Sequence, residues 1–176
     1  MITTTLALIA ALTVPAADEA TIIRQVMEKY FLDNRSHPDA RQSLFIAETM
    51  ADGTLDPITL RVPPSTLEQV DELLESMKEN NREAIALPEL PASVPLGDAG
   101  ELRVDGKYDW EKIAHSTGGV EAVVEVARPA FTRDGKVAVV RVVFRQPQRE
   151  VQEYYFLKRV GEKWQMASVT TGRTKP

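Results

Sequence analysis

The chain has 176 residues, 21 Lys and Arg against 26 Asp and Glu, a formal net charge of −5, and 43% hydrophobic residues. That length and apolar content suit one globular domain, burying roughly two-thirds of the surface its unfolded chain exposes. An acidic chain lacks the positive field that polyanions require, which argues against nucleic acid and anionic membrane as partners. With no Cys, disulfides, lipid-modified cysteine and His/Cys zinc sites are excluded.

Residues 1–17 (MITTTLALIAALTVPAA) carry no charged side chain, and residues 6–14 form an apolar run of secretory length, followed by small residues at Ala16 and Ala17. We read 1–17 as a signal peptide and 18–176 as a single α+β domain, exported in soluble form to the periplasm or outside the cell. The usual Lys or Arg is missing from the extreme N-terminus, so an N-terminal core element is the alternative reading. The run is too short to span a hydrocarbon core of about 30 Å, and no later stretch forms a transmembrane segment.

Residues 21–31 place Ile22, Ile23, Val26, Met27, Tyr30 and Phe31 on one face of a 3.6-residue period, which predicts a helix. A turn-rich cluster at 33–41 ends it, and residues 43–50 read as a strand bounded by Asp52-Gly53. Ser65 and Glu68 have the spacing of a capping box, and Leu67, Val70, Leu73, Leu74 and Met77 make the apolar stripe of a second helix running to about Asn80. Pro88, Pro91 and Pro95, with two glycines, exclude a helix from residues 84–100. Asp109 is placed to cap a short helix over 110–115, stopped by Gly118-Gly119.

From Val120 the period becomes two. Strands are expected at 120–126, 137–145, 151–158 and 164–170, separated by turns at 133–135, 146–150 and 161–163. Short turns between consecutive strands imply an antiparallel four-strand meander, on which the N-terminal and middle helices pack.

The segments TLEQVDELLESMKENN, DWEKIAHSTGG, VARPAFTRDGKVAVVRV and EYYFLKRVGEKWQM together resemble a family of uncharacterised bacterial secreted proteins and lipoproteins with an α+β fold. In that family a loop with Arg and Phe, as at Arg128 and Phe131, leads to an Asp-Gly turn and an apolar strand. Many members carry a Cys pair between the second and third sheet strands, where this chain has Phe144, Arg145, Gln146, Pro147, Gln148 and Arg149. The resemblance supplies no catalytic residues. Gly161 and Trp164, in a closing G-x-x-W hairpin, also give a looser likeness to nuclear transport factor 2-like domains.

No catalytic constellation is evident and no catalytic or metal site is assigned. His37 lies in a polar loop beside Asp33 and Asp39, where Asp and Asn ordinarily bond their own backbone. His115-Ser116 follows a helix and precedes a strand, the reverse of a nucleophile elbow, and fits an ordinary helix stop. No phosphate-cradling Gly-rich loop is present, so no nucleotide cofactor is expected.

Two surfaces remain. Glu68, Asp71, Glu72, Glu75 and Glu79 share one sector of the second helix, a solvated face or a docking surface for a basic partner. In strand 137–145, Ala138, Val140, Val142 and Phe144 share one face, while Val137, Val139 and Val143 share the other with Arg141 and Arg145. Both faces are therefore expected to be covered, and Arg141 with Tyr154 or Tyr155 is the candidate polar lining of a ligand cavity. The bland alternative pairs Arg128, Arg141 and Arg145 with Glu121, Glu125 and Glu153 across strands. The function expected is a non-catalytic binding or interaction module with an unknown protein or small-molecule partner. The alternatives are a small hydrolase-like envelope enzyme and an inhibitor presenting the acidic helix.

Overall fold

A computed structural model describes residues 16–32, 43–51, 68–90 and 95–175. The expected signal segment, His37, Ser65 and Leu67 lie outside these residues, apart from the signal's last two positions, Ala16 and Ala17. In chain order the elements are α1 (Ala16–Leu32), β1 (Ser43–Thr49), α2 (Val70–Asn80), β2 (Leu96–Gly97), α3 (Ala99–Leu102), β3 (Arg103–Val104), β4 (Lys107–Tyr108), α4 (Trp110–Ser116), β5 (Ala122–Val126), β6 (Ala130–Phe131), β7 (Val137–Gln146), β8 (Arg149–Val160) and β9 (Lys163–Lys175).

The α+β class holds, but the sheet is not a four-strand meander. Seven strands form one mixed sheet in the order β2-β1-β5-β7-β8-β9, with β6 paired to β7, and β3-β4 is a separate hairpin. β1 runs parallel to both β5 and β2. The reason lies in its two-sided burial: Phe45 enters one core, Leu44 and Ile46 another, which is how an interior strand with covered faces reads. A parallel pair also needs a crossover, and the long stretch from α2 to α4 provides it. On its other side β1 is closed by Phe45 N–H to Pro95 O at 2.9 Å and Leu87 N–H to Ala47 O at 2.8 Å.

α1 covers one face of the sheet. Ile22, Ile23, Val26, Met27 and Tyr30 pack with Phe45, Val124, Val140, Tyr155 and Trp164. Its first turn is tied to distant loops: the Arg128 guanidinium donates to Glu19 at 2.6 and 3.0 Å, and Arg159 pairs with Asp18 at 3.2 Å. The opposite face is shared. α2 lays Leu73 and Met77 on Val139, Val143, Tyr154 and Phe156, while α3 and α4 lay Leu102 and Ile113 on Leu44, Ile46 and Val123. These two patches do not merge, and the gap between them positions the site described below.

Local boundaries shift for identifiable reasons. The regular α-helix of α2 starts at Val70 after a 3₁₀ turn at 68–69, and its N-cap Gln69 makes no side-chain cap bond; the expected cap, Ser65, lies outside the described residues. The prolines do not keep helix out as far as Gly100, because Asp98 Oδ1 accepts from Gly100 and Glu101 N–H and starts α3 at Ala99. Asp109 caps α4 as expected, accepting from Lys112 N–H at 3.0 Å. The turn expected at 146–150 shrinks to two residues, since β7 reaches Gln146 and β8 begins at Arg149. In the β3-β4 hairpin Asp105 and Gly106 both have positive φ, 51° and 75°, the turn whose twist suits a two-residue connection.

Candidate functional site

The gap between α2 and the α3-α4 patch leaves Glu125 of β5 facing no helix core. It is only 3% exposed, on a strand whose burial is otherwise apolar. A buried carboxylate is tolerable when paired and hydrogen-bonded. Arg103 and Tyr108, opposite each other in the β3-β4 register, both donate to Glu125 Oε1, Tyr108 at 2.9 Å. Arg145 of β7 donates to Oε2 and also pairs with Glu150, its cross-strand neighbour on β8. Arg103 Nη2 donates to the Tyr108 hydroxyl at 2.9 Å, and its guanidinium sits 4.6 Å from that ring's centre. Positive and negative groups thus alternate along Arg103, Glu125, Arg145 and Glu150, stitching the hairpin to the main sheet.

This chain of charges is also a wall between two cavities. An inner one of about 350 Å³ is lined by Ile46, Thr49, Met50 and Ala99 on one side and by Arg103, Glu125 and Arg145 on the other. Beyond the wall lies an open cleft of about 640 Å³ between the β3-β4 hairpin and the β7-β8 turn. Its lining includes Lys107, Tyr108, Trp110, Gln146, Gln148 and Arg149, together with Arg103, Arg145 and Glu150. The Tyr108 and Trp110 rings are 5.7 Å apart at 46°.

The electrostatics hold the wall in one state. Burial, reinforced by the Glu125 charge, pushes the Tyr108 phenol well above its ordinary range, so it keeps its proton and remains a donor. Burial would lower the Arg145 pKa, but the Glu125 charge and hydrogen bond, with Glu150 and Tyr108, outweigh it and raise it. Of the four cations lining the cleft, Arg103 and Arg145 are neutralised by Glu125 and Glu150. Lys107 and Arg149 are exposed and make no ion pair among the described residues, so the cleft has two positive charges in surplus in a chain of net charge −5.

The predicted residues fall elsewhere. Arg141 and Tyr154 are directly opposite each other on the α2 face, 3% and 0% exposed, with Arg141 Nη2 at 3.8 Å from Met50 Sδ and the Tyr154 hydroxyl donating to Gln152 at 3.1 Å. Tyr155 points to the α1 face and donates to Glu153 at 2.8 Å. Neither cavity is lined by any of the three. Glu68, in the turn before α2, and Asp71, Glu75 and Glu79 on it are exposed, and Glu72 accepts from Arg133 N–H at 2.9 Å while Glu75 pairs with the Arg133 side chain at 3.3 Å. Part of the acidic stripe therefore serves the chain's own β6-β7 turn. His115 and Ser116 are exposed at the end of α4, and the Ser116 hydroxyl donates to Ile113 O at 3.3 Å.

The sequence reading missed Arg103, Lys107 and Tyr108, and named Glu125 only as a cross-strand partner for the arginines, a pairing that Arg145 makes. Two signals pointed to them. Asp105-Gly106 between short flanks is a hairpin turn, and a glutamate in a strand apolar on both faces calls for a buried cation. Comparison with protein-family models, with curated proteins and with solved structures finds no match. No helix among the described residues is long and apolar enough to cross a membrane.

Proposed function

We propose that the protein is an exported, non-catalytic binding module that holds a small ligand in the cleft between the β3-β4 hairpin and the β7-β8 turn. The observation that carries this reading is the combination of two aromatic rings with two unneutralised cations in an opening of about 640 Å³, within the range of small-molecule sites, about 300 to 1,000 Å³. A non-catalytic role is supported by the state of the ionisable groups at the wall. Both Glu125 oxygens are engaged by donors, and Tyr108 is held protonated, so the phenol is not poised to give up a proton near neutral pH. Export rests on the uncharged segment 1–17 and is supported by the resemblance to bacterial secreted proteins and lipoproteins.

The test is a thermal-shift screen of chemically diverse small molecules, neutral, anionic and cationic, against the full chain and a Trp110→Ala variant. A ligand that raises the melting temperature of the parent but not of the folded variant supports the cleft. If every stabilising compound acts equally on both proteins, the cleft is not the site. Export is checked separately by N-terminal sequencing of protein from its native cells, where a retained Met1 would overturn the signal reading.

A further inference from the structure

We infer that the cleft recognises a carboxylate carried on a ring with an apolar face, with Lys107 and Arg149 taking the carboxylate and Trp110, beside Tyr108, taking the ring face. This rests on the proposed function, and it specifies the ligand's chemistry. The two cations without an ion pair among the described residues come from opposite rims, Lys107 from the hairpin and Arg149 from the start of β8. A single anionic group between them would engage both without dismantling any ion pair already made. Arg103 and Arg145 cannot turn to the ligand without abandoning buried Glu125, so they stay in their ion pairs and form a fixed floor. Fixed charges need no reorganisation on binding, which favours affinity.

The anion is better matched by a carboxylate than by a phosphate. Phosphate sites usually draw on backbone N–H groups at a helix N-terminus or a glycine-rich loop. Here the helix end nearest the cleft is already capped by the Asp109 carboxylate, and no such loop lines the opening. The ring requirement follows from Trp110, half-buried and packed against the cluster that holds Leu102 and Ile113, which leaves an apolar surface at the cleft. Gln146 and Gln148 on the β7-β8 turn add donors and acceptors suited to hydroxyl groups, so both an aromatic acid and a uronic sugar satisfy the chemistry.

Tryptophan fluorescence of the full chain separates these sources. The protein has two tryptophans, and Trp164 is buried against Phe131 on the α1 face, so a ligand-dependent change reports Trp110, with Trp110→Phe as control. The probes are benzoate with its neutral counterpart benzamide, and glucuronate with glucose. At least one carboxylate should bind about tenfold tighter than its neutral partner, equivalent to about 1.4 kcal/mol. That preference should shrink with added salt and disappear in Lys107→Gln/Arg149→Gln, whose unchanged melting temperature shows that the fold is intact. Whichever pair shows it identifies the ring. Equal binding of the neutral partners overturns the inference while leaving the cleft a binding site. So does a preference that survives in the double variant, equal competition by inorganic phosphate, or silence of all four probes when the broad screen has found a Trp110-dependent ligand.

Discussion

Replacing Glu125 with Gln keeps the size of the side chain and removes the charge that holds two arginines. Gln retains one neutral acceptor for Arg103 and Tyr108, but its NH₂ faces the Arg145 donor, so one contact weakens and another becomes repulsive. Breaking a fully buried ion pair costs about 3 to 5 kcal/mol. Glu125 is almost wholly buried, yet the Arg103 and Arg145 side chains are 35% and 31% exposed and recover part of their hydration. Solvent screening at those ends brings the expected loss down to about 2 to 3 kcal/mol. For a domain of this size that is a fall in melting temperature of about 4 to 12 °C. Urea unfolding measures it directly, and at a slope of about 1 to 3 kcal/mol per molar the midpoint should drop by roughly 1 M. Adding Arg145→Gln to the variant should cost less than the sum of the single changes, because the stranded cation is gone. Amide exchange in β3 and β4 should accelerate in Glu125→Gln, since the hairpin loses its anchor to β5. A loss below about 0.5 kcal/mol, the level of an ordinary surface substitution, would refute the view that Glu125 holds the wall together.

Other perturbations follow from the same structure. Asn81 is 1% exposed and its amide bridges α2 to the chain at Arg128, accepting from Arg128 N–H at 2.6 Å and donating to Arg128 O at 3.1 Å; Asn81→Ala should lower unfolding free energy by about 2 kcal/mol. A Cβ on Gly172 would lie 2.7 Å from Tyr154 Cε2, so Gly172→Ala should destabilise by about 1 to 3 kcal/mol, and a melting temperature equal to the parent's would count against that close approach. The Asp134 pKa is lowered, chiefly by the Thr132 hydroxyl and also by Lys136 N–H and charge. Its stabilisation is complete above the ordinary Asp value of about 3.9 and is lost as pH falls through the lowered folded-state value. Asp134→Asn should therefore flatten part of the acid-side decline of the urea midpoint below about pH 4, and identical profiles would show that the turn does not use this charge.

How much was legible depended on how far apart in sequence the deciding contacts lie. The α1 stripe from Ile22 to Tyr30 and the Asp109 cap needed neighbours within a turn or two, and both stand as expected. The alternation in β7 forecast two covered faces, and the structure fills them from opposite sides with α1 and with α2. β6 was unreadable as a strand, since two residues carry no period and exist only by pairing with β7.

By itself the sequence determined an acidic α+β domain, its amphipathic helices and its C-terminal run of strands, because helix and strand periods, caps and turns are set by residues close along the chain. It also determined that His and Cys chemistry would be scarce. Only the tertiary structure decided that β1 enters parallel to β5, that Arg141 and Tyr154 are sealed beneath α2, and that a cleft opens at Arg145. The cleft joins a hairpin at Arg103 to Tyr108 with a turn at Gln146 to Arg149 through the carboxylate of Glu125. No period links those segments; a buried charge that must find its partners across the sheet does.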